Sequence, residues 1–164
     1  MPADCLLLLG GNVGDRLAHL RRAVRALSRL ERAAILALSR VYETAPVGPS
    51  RRPYLNAVVK LRTAHSPMGL LVECKRIEVV AGRRPAARWT ARPLDIDILD
   101  YAGLLLKTPW LRLPHPLIAS RPFALAPLRD VAPRYKLANG ATAAARLARL
   151  KPPPKIVKLF PFDL

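Results

Sequence analysis

A chain of 164 residues with a hydrophobic fraction of 51% is long enough for one domain around one buried core. It has no run of 18 or more apolar residues, which excludes a membrane-spanning helix. The apolar stretch at 5–9 is too short, and lacks the basic lead-in, for a secretion signal, so a cytoplasmic location is expected. The net charge of +17 attracts polyanions of every kind, nucleotides and RNA alike, and its arginines are spread along the chain rather than gathered in one tract.

Residues 4–10 form a nearly continuous apolar run ending in Gly10-Gly11, the pattern of a buried strand and a turn. A helix is predicted from about Val13 to Leu30, with Leu17, Leu20, Val24, Leu27 and Leu30 as its apolar stripe. Residues 33–43 are predicted mostly as strand. A loop stiffened by Pro46, Pro49 and Pro53 follows. Residues 54–63 then alternate: Leu55, Ala57, Val59 and Leu61 face one way, and Tyr54, Asn56, Val58 and Lys60 the other. Ser66-Pro67 opens a second helix as N-cap and first turn, with Leu70, Leu71, Cys74 and Ile77 on its apolar stripe. An arginine-rich loop leads to a strand at about 94–101, a short hairpin at 104–113, and short helices at 123–130 and 141–150. Cys5 and Cys74 fall in apolar periodic segments and are expected as buried small hydrophobes, not a disulfide.

The order β-α-β-β-α-β predicts an α+β fold: a ferredoxin-like βαββαβ antiparallel sheet with helices on one face, plus a C-terminal helical extension. Residues 1–150 are expected as a single domain and 151–164 as a proline-containing, extended C-terminal tail. That fold hosts many functions, so function has to be read from the site.

The most informative segment is Arg83 to Asp97. Four arginines (Arg83, Arg84, Arg88, Arg92) and Trp89 run into Asp95 and Asp97, in a chain with only eleven acidic residues. On a strand, residues i and i+2 project from one face, so the two carboxylates point into one site. Such a pair repels itself unless a cation intervenes, and oxygen-only ligation suits Mg²⁺ together with substrate phosphates. Guanidinium forks match phosphate oxygens. An exposed tryptophan in a charged loop suits a flat heterocyclic partner. Taken singly, each feature has a plainer reading: a bare Asp-x-Asp recurs by chance, and a basic loop is usually a solvated one. Tyr54 and Asn56 either line a cleft or form an ordinary exposed sheet face, and His115 alone reads as a surface histidine. Gly10-Gly11-Asn12-Val13-Gly14-Asp15 lacks the Lys and Ser/Thr of a phosphate-binding loop and reads as a tight turn capped by Asp15 or Asn12.

In combination the blocks resemble the 6-hydroxymethyl-7,8-dihydropterin pyrophosphokinase family, from about Leu6 to Tyr135. The blocks are Leu9-Gly10-Gly11-Asn12-Val13-Gly14-Asp15, Tyr42-Glu43-Thr44-Ala45-Pro46-Val47-Gly48-Pro49, Tyr54-Leu55-Asn56-Ala57, Arg76-Ile77-Glu78, the run from Arg88 to Leu99, Leu113-Pro114-His115-Pro116 and Arg121-Pro122-Phe123. Any one is weak. Seven in order are specific.

The resemblance implies pyrophosphoryl transfer from ATP to the pterin alcohol in folate biosynthesis. It implies Asp95 and Asp97 as ligands of two Mg²⁺ ions, with Asp97 a candidate proton acceptor for the hydroxyl, and Arg83 and Arg92 as catalytic arginines closing over the phosphates. Tyr54 and Phe123 would sandwich the pterin, with Thr44, Pro46, Val47, Asn56 and Trp89 completing its pocket. Glu78, Arg88, Ile98 (through its backbone), His115 and Arg121 would serve the ATP side with Arg83 and Arg92. Thr90 stands where the family usually has glycine, Trp110 and Arg112 stand where relatives carry ATP contacts, and Pro122 replaces a small residue. The expected partners are ATP and the pterin, with no specific nucleic acid, no membrane, and a monomeric chain. Two rivals stand beside this reading: a basic RNA-binding module on the same fold, which would need stacking aromatics on its strands, and an inactive nucleotide-binding relative.

Overall fold

The computed structural model describes residues 1–45, 52–84, 91–150 and the strand at 156–160. Its elements are β1 (Ala3–Gly11), α1 (Arg16–Ser28), β2 (Ala33–Leu38), β3 (Val41–Thr44), β4 (Tyr54–Thr63), α2 (Pro67–Val80), β5 (Asp95–Tyr101), β6 (Leu106–Lys107), β7 (Arg112–Leu113), a 3₁₀ turn at Ile118–Ser120, α3 (Pro122–Val131), α4 (Ala143–Ala148) and β8 (Ile156–Phe160).

The main sheet runs β5-β1-β4-β3-β8, with β2 also on β4, and every pairing is antiparallel. β2 and β3 lie along successive stretches of β4 and act as one interrupted strand. Ser39 bridges the interruption: its N–H donates to the Val58 carbonyl at 3.0 Å and its Oγ accepts from the Val58 N–H at 2.8 Å. With β2 and β3 counted as one, the four-strand core has the ferredoxin-like order expected from the sequence.

β1 is buried on both faces, which is why it reads as an apolar run and not as an alternating one. Leu7 and Leu9 join Leu55, Ala57, Val59 and Leu61 under α1 and α2. Leu6 and Leu8 join Val58 and Leu99 under α3 and α4. The first two helices thus cover one face, and the C-terminal helical extension covers the other.

Local chemistry sets the element ends. α1 begins three residues later than its apolar pattern suggests, because Asn12–Gly14 form a turn with Gly14 at φ 66°, and Asp15 caps the helix by accepting from the Ala18 N–H at 3.0 Å. Ser66 caps α2 through the Gly69 N–H at 3.1 Å, with Pro67 in the first turn, as expected. Only 106–107 and 112–113 of the expected hairpin pair as strands. Residues 156–160 of the expected tail are extended and form β8 along β3. Cys5 and Cys74 are free and fully buried, and burial pushes both thiols up to about 12. Among the described residues no helix is long and apolar enough to cross a membrane.

Candidate active site

β5 is an edge strand, and its pleat turns Asp95 and Asp97 to the face that carries α3, while Ile96 and Ile98 enter the core beneath α1 and α2. On the same face β4 presents Tyr54 and Asn56, and β3 ends at Thr44. The loop before α3 and the helix start bring His115, Arg121 and Phe123 over them. These residues line one cavity of about 460 Å³, together with Arg92, Gly10 and Gly11.

The carboxylates are held by guanidinium groups. Arg83 NH1 donates to Asp95 Oδ1 at 2.5 Å and Arg92 NH1 to Asp95 Oδ2 at 3.2 Å. Arg121 NH1 donates to Asp97 Oδ2 at 3.2 Å, and its guanidinium lies 5.6 Å from the Phe123 ring centroid. One guanidinium thereby spans the acidic and aromatic halves of the cavity.

Behind Asp95, Glu78 of α2 is 1% exposed. It accepts from the Ile96 N–H at 2.7 Å, pairs with Lys75 at 2.8 Å and also bonds Arg83. Burial raises its pKa, against the opposing charge of Lys75. Glu78 therefore does not line the cavity; it fixes Arg83 and the Ile96 backbone N–H of β5. Ile98, expected to serve ATP through its backbone, turns its side chain into the core.

The other end of the cavity is polar in a narrow way. Asn56, 3% exposed, donates from Nδ2 to Thr44 Oγ1 at 3.0 Å. Gly10 sits opposite, where a Cβ would come within 2.9 Å of Asn56 Oδ1. Burial pushes the His115 imidazole below its ordinary value, against the pull of Asp97, and its Nδ1 accepts from the Leu117 N–H at 3.1 Å. His115 is partly buried in the cavity wall, not a surface histidine.

The backbone of Arg92 is also tied down. Asn12 N–H donates to the Arg92 carbonyl at 3.0 Å, and Arg92 N–H donates to Asn12 Oδ1 at 2.9 Å. Gly11 permits this approach, because a Cβ there would lie 2.2 Å from the Pro93 carbonyl oxygen. The sequence pattern marked Gly10-Gly11-Asn12 as a turn and missed that it anchors the arginine segment. The doubled glycine followed by asparagine was the available signal.

Among the expected site residues, Thr44, Tyr54, Asn56, Arg92, Asp95, Asp97, His115, Arg121 and Phe123 are brought together around the cavity. Arg83 reaches them through Asp95. Pro46, Val47, Arg88 and Trp89, with Thr90, lie outside the described residues. Trp110 and Arg112 do not line the cavity; Trp110 is 77% exposed.

A sequence model of the 7,8-dihydro-6-hydroxymethylpterin-pyrophosphokinase family matches residues 6–133. The chain belongs to this family. A 2-amino-4-hydroxy-6-hydroxymethyldihydropteridine pyrophosphokinase of Methylorubrum extorquens is 39% identical over 145 residues, covering 88% of this chain and 91% of the relative. One of Haemophilus influenzae is 35% identical over 156 residues, covering 94% and 97%. Wild-type Plasmodium falciparum HPPK-DHPS, solved with pteroate, shares the fold at a TM-score of 0.69 and 15% identity, over 92% of this chain and 45% of that one. The chain thus spans nearly the whole of these two bacterial relatives and less than half of that longer chain. The family match ends near Pro133, so α4 and β8 lie beyond it.

Proposed function

We propose that this protein transfers the β,γ-pyrophosphoryl group of ATP to the hydroxymethyl oxygen of 6-hydroxymethyl-7,8-dihydropterin, giving the pterin diphosphate and AMP for folate biosynthesis. The observation that carries the reading is one cavity holding an aspartate pair at one end and an Asn-Thr-Tyr-Phe pocket at the other. The family match adds the reaction class.

The pterin lies between the Tyr54 and Phe123 rings, where offset stacking favours a flat heterocycle. Asn56 has committed its amide N–H to Thr44, which leaves Oδ1 to accept from a pterin N–H and the Thr44 hydroxyl to donate to a ring acceptor. Pro46, Val47 and Trp89 complete this pocket by the family pattern.

The donor set at the other end fits Mg²⁺. Asp95 and Asp97 supply carboxylate oxygens from one strand face, and among the described residues no group of three or more His, Cys, Asp or Glu forms a protein-only cage. Phosphate oxygens and water then fill the remaining positions, as Mg²⁺ prefers. When bound, two such ions neutralise triphosphate charge and lower the pKa of the hydroxyl.

For the chain, this means an exchange of partners. Arg83, Arg92 and Arg121 neutralise Asp95 and Asp97, and would be free to turn to the phosphates where a cation held by the two carboxylates replaced them. Glu78 keeps Arg83 within reach. His115, neutral and donating from Nε2, joins Arg121 and Arg88 on the nucleotide. The hydroxymethyl oxygen forms its bond to the β-phosphorus as the bond from that phosphorus to the α-bridging oxygen breaks. The electron pair leaves with AMP, and the hydroxyl proton passes to Asp97 or to solvent. Excluding water matters because hydrolysis of ATP competes.

The protein acts in the cytoplasm as a monomer on this reading. Incubation with ATP, Mg²⁺ and the pterin tests it. Pterin-dependent AMP is expected; ADP would indicate ordinary kinase chemistry, and no turnover would favour a binding module or an inactive relative.

A further inference from the structure

Arg16 opens α1 on the face of the sheet opposite the cavity, and none of the roles above uses it. Its guanidinium holds two points of the chain at once. NH1 donates to the Pro53 carbonyl at 2.9 Å, and NH2 pairs with Glu43 Oε2 at 2.7 Å. Both side chains are largely shielded, at 28% and 14% exposed, which protects the pair from salt screening.

The two points are the two ends of one loop. Glu43 immediately precedes Thr44 at the end of β3, and Pro53 immediately precedes Tyr54 at the start of β4. Thr44 and Tyr54 are the last pair of that ladder, and both line the cavity. A terminal strand pair frays unless something beyond the ladder holds it. Pleating puts Glu43 on the other face from Thr44, so a contact with Glu43 can restrain Thr44 without touching a ligand.

We propose that Arg16 is a positioning residue for the pterin: by closing the ends of the 45–53 loop it holds Thr44, Tyr54 and Asn56 at the spacing that recognises the ring. The claim rests on the pterin reading above. A guanidinium is required, because Lys presents a point charge and cannot fork between a carboxylate and a carbonyl.

The test measures pterin Kd in the presence of Mg²⁺ and a non-hydrolysable ATP analogue, and Kd of that analogue alone, for wild type, Arg16→Gln, Arg16→Lys and Glu43→Gln. Losing a charge-assisted hydrogen bond of this kind is expected to weaken pterin binding about tenfold in Arg16→Gln. Arg16→Lys and Glu43→Gln, each keeping one of the two contacts, should fall between. The Kd for the analogue alone should stay within about twofold, and kcat should change far less than KM for the pterin. Glu43→Gln preserves the Pro53 contact, so it reports even if Arg16→Gln fails to fold. Pterin affinity unchanged in both Arg16→Lys and Glu43→Gln overturns the proposal, as does an equal loss of pterin and analogue binding, which would mark a general structural role. A wild-type protein that turns over no pterin sinks the functional reading itself, and the proposal with it.

Discussion

Gly10 and Asn56 face each other across β1 and β4, and a Cβ on Gly10 would stand 2.9 Å from Asn56 Oδ1. The glycine leaves the amide room to hold Thr44 with one end and present the other to the cavity. The obstructing atom is the end of a side chain, so Gly10→Ala moves Asn56 and leaves the backbone alone. Pterin affinity should fall about tenfold, the cost of one misplaced polar contact, with little change in Tm. Gly11→Ala meets the Pro93 backbone at 2.2 Å, and should lower both Tm and kcat by displacing the Arg92 segment. Thermal melts with pterin titrations separate the two.

Among the described residues, Arg83 is the one cation that reaches both Glu78 and Asp95. Arg83→Ala should lower kcat on the order of 10³-fold, as for other phosphoryl-transfer arginines, with a smaller effect on KM for the pterin. Steady-state kinetics with each substrate varied in turn checks the split.

Glu78 supports this arrangement from inside the fold. Glu78→Ala strips the buried Ile96 N–H of its acceptor and should cost about 2 kcal/mol, or a Tm drop of about 4–8 °C in a chain of this size. Glu78→Gln keeps an acceptor and should cost less than the alanine variant. Calorimetric melts of the two variants test this order.

Asp130 of α3 ties the C-terminal helices to β3. Burial would raise its pKa, but hydrogen bonds from Arg40 and from Tyr42, whose hydroxyl donates at 2.8 Å, outweigh burial and hold it below its ordinary value of 3.8. A carboxyl lowered in the folded state binds its proton more weakly there than in the unfolded chain. Its contribution is present in full above that ordinary value and is lost as pH falls through the lowered one. Asp130→Asn should therefore be less stable at neutral pH and show a shallower loss of stability below about pH 4. Denaturant melts from neutral to acid pH show whether the curves converge.

Much of the site was legible where a strand's period of two applies. Asp95 with Asp97, and Tyr54 with Asn56, follow from alternation alone. No local pattern could bring Thr44, His115, Arg121 and Phe123 to them, because those positions meet only through the sheet order and the packing of α3; the motif resemblance supplied them. Glu78 was expected at ATP, yet its carboxylate points into the fold at Ile96 N–H, a contact between a helix and a strand that spacing does not encode. The grip of Arg16 on Glu43 and Pro53 was invisible for the same reason, in a chain where arginines on helix faces are common. β8 was hidden by the prolines on either side of it, at 152–154 and 161, which made 151–164 read as a tail.

The central claim is that the pterin oxygen attacks the β-phosphorus, with the aspartate pair and the aromatic pocket serving one reaction. Turnover of the pterin with ATP labelled separately at its β- and γ-phosphorus tests this most directly. The account predicts that both labels move together into the pterin product, one of each per AMP released, and that Asp97→Ala abolishes the transfer while leaving the melt unchanged. Transfer of the γ label alone, with the β label retained in ADP, or undiminished transfer by Asp97→Ala, would contradict it.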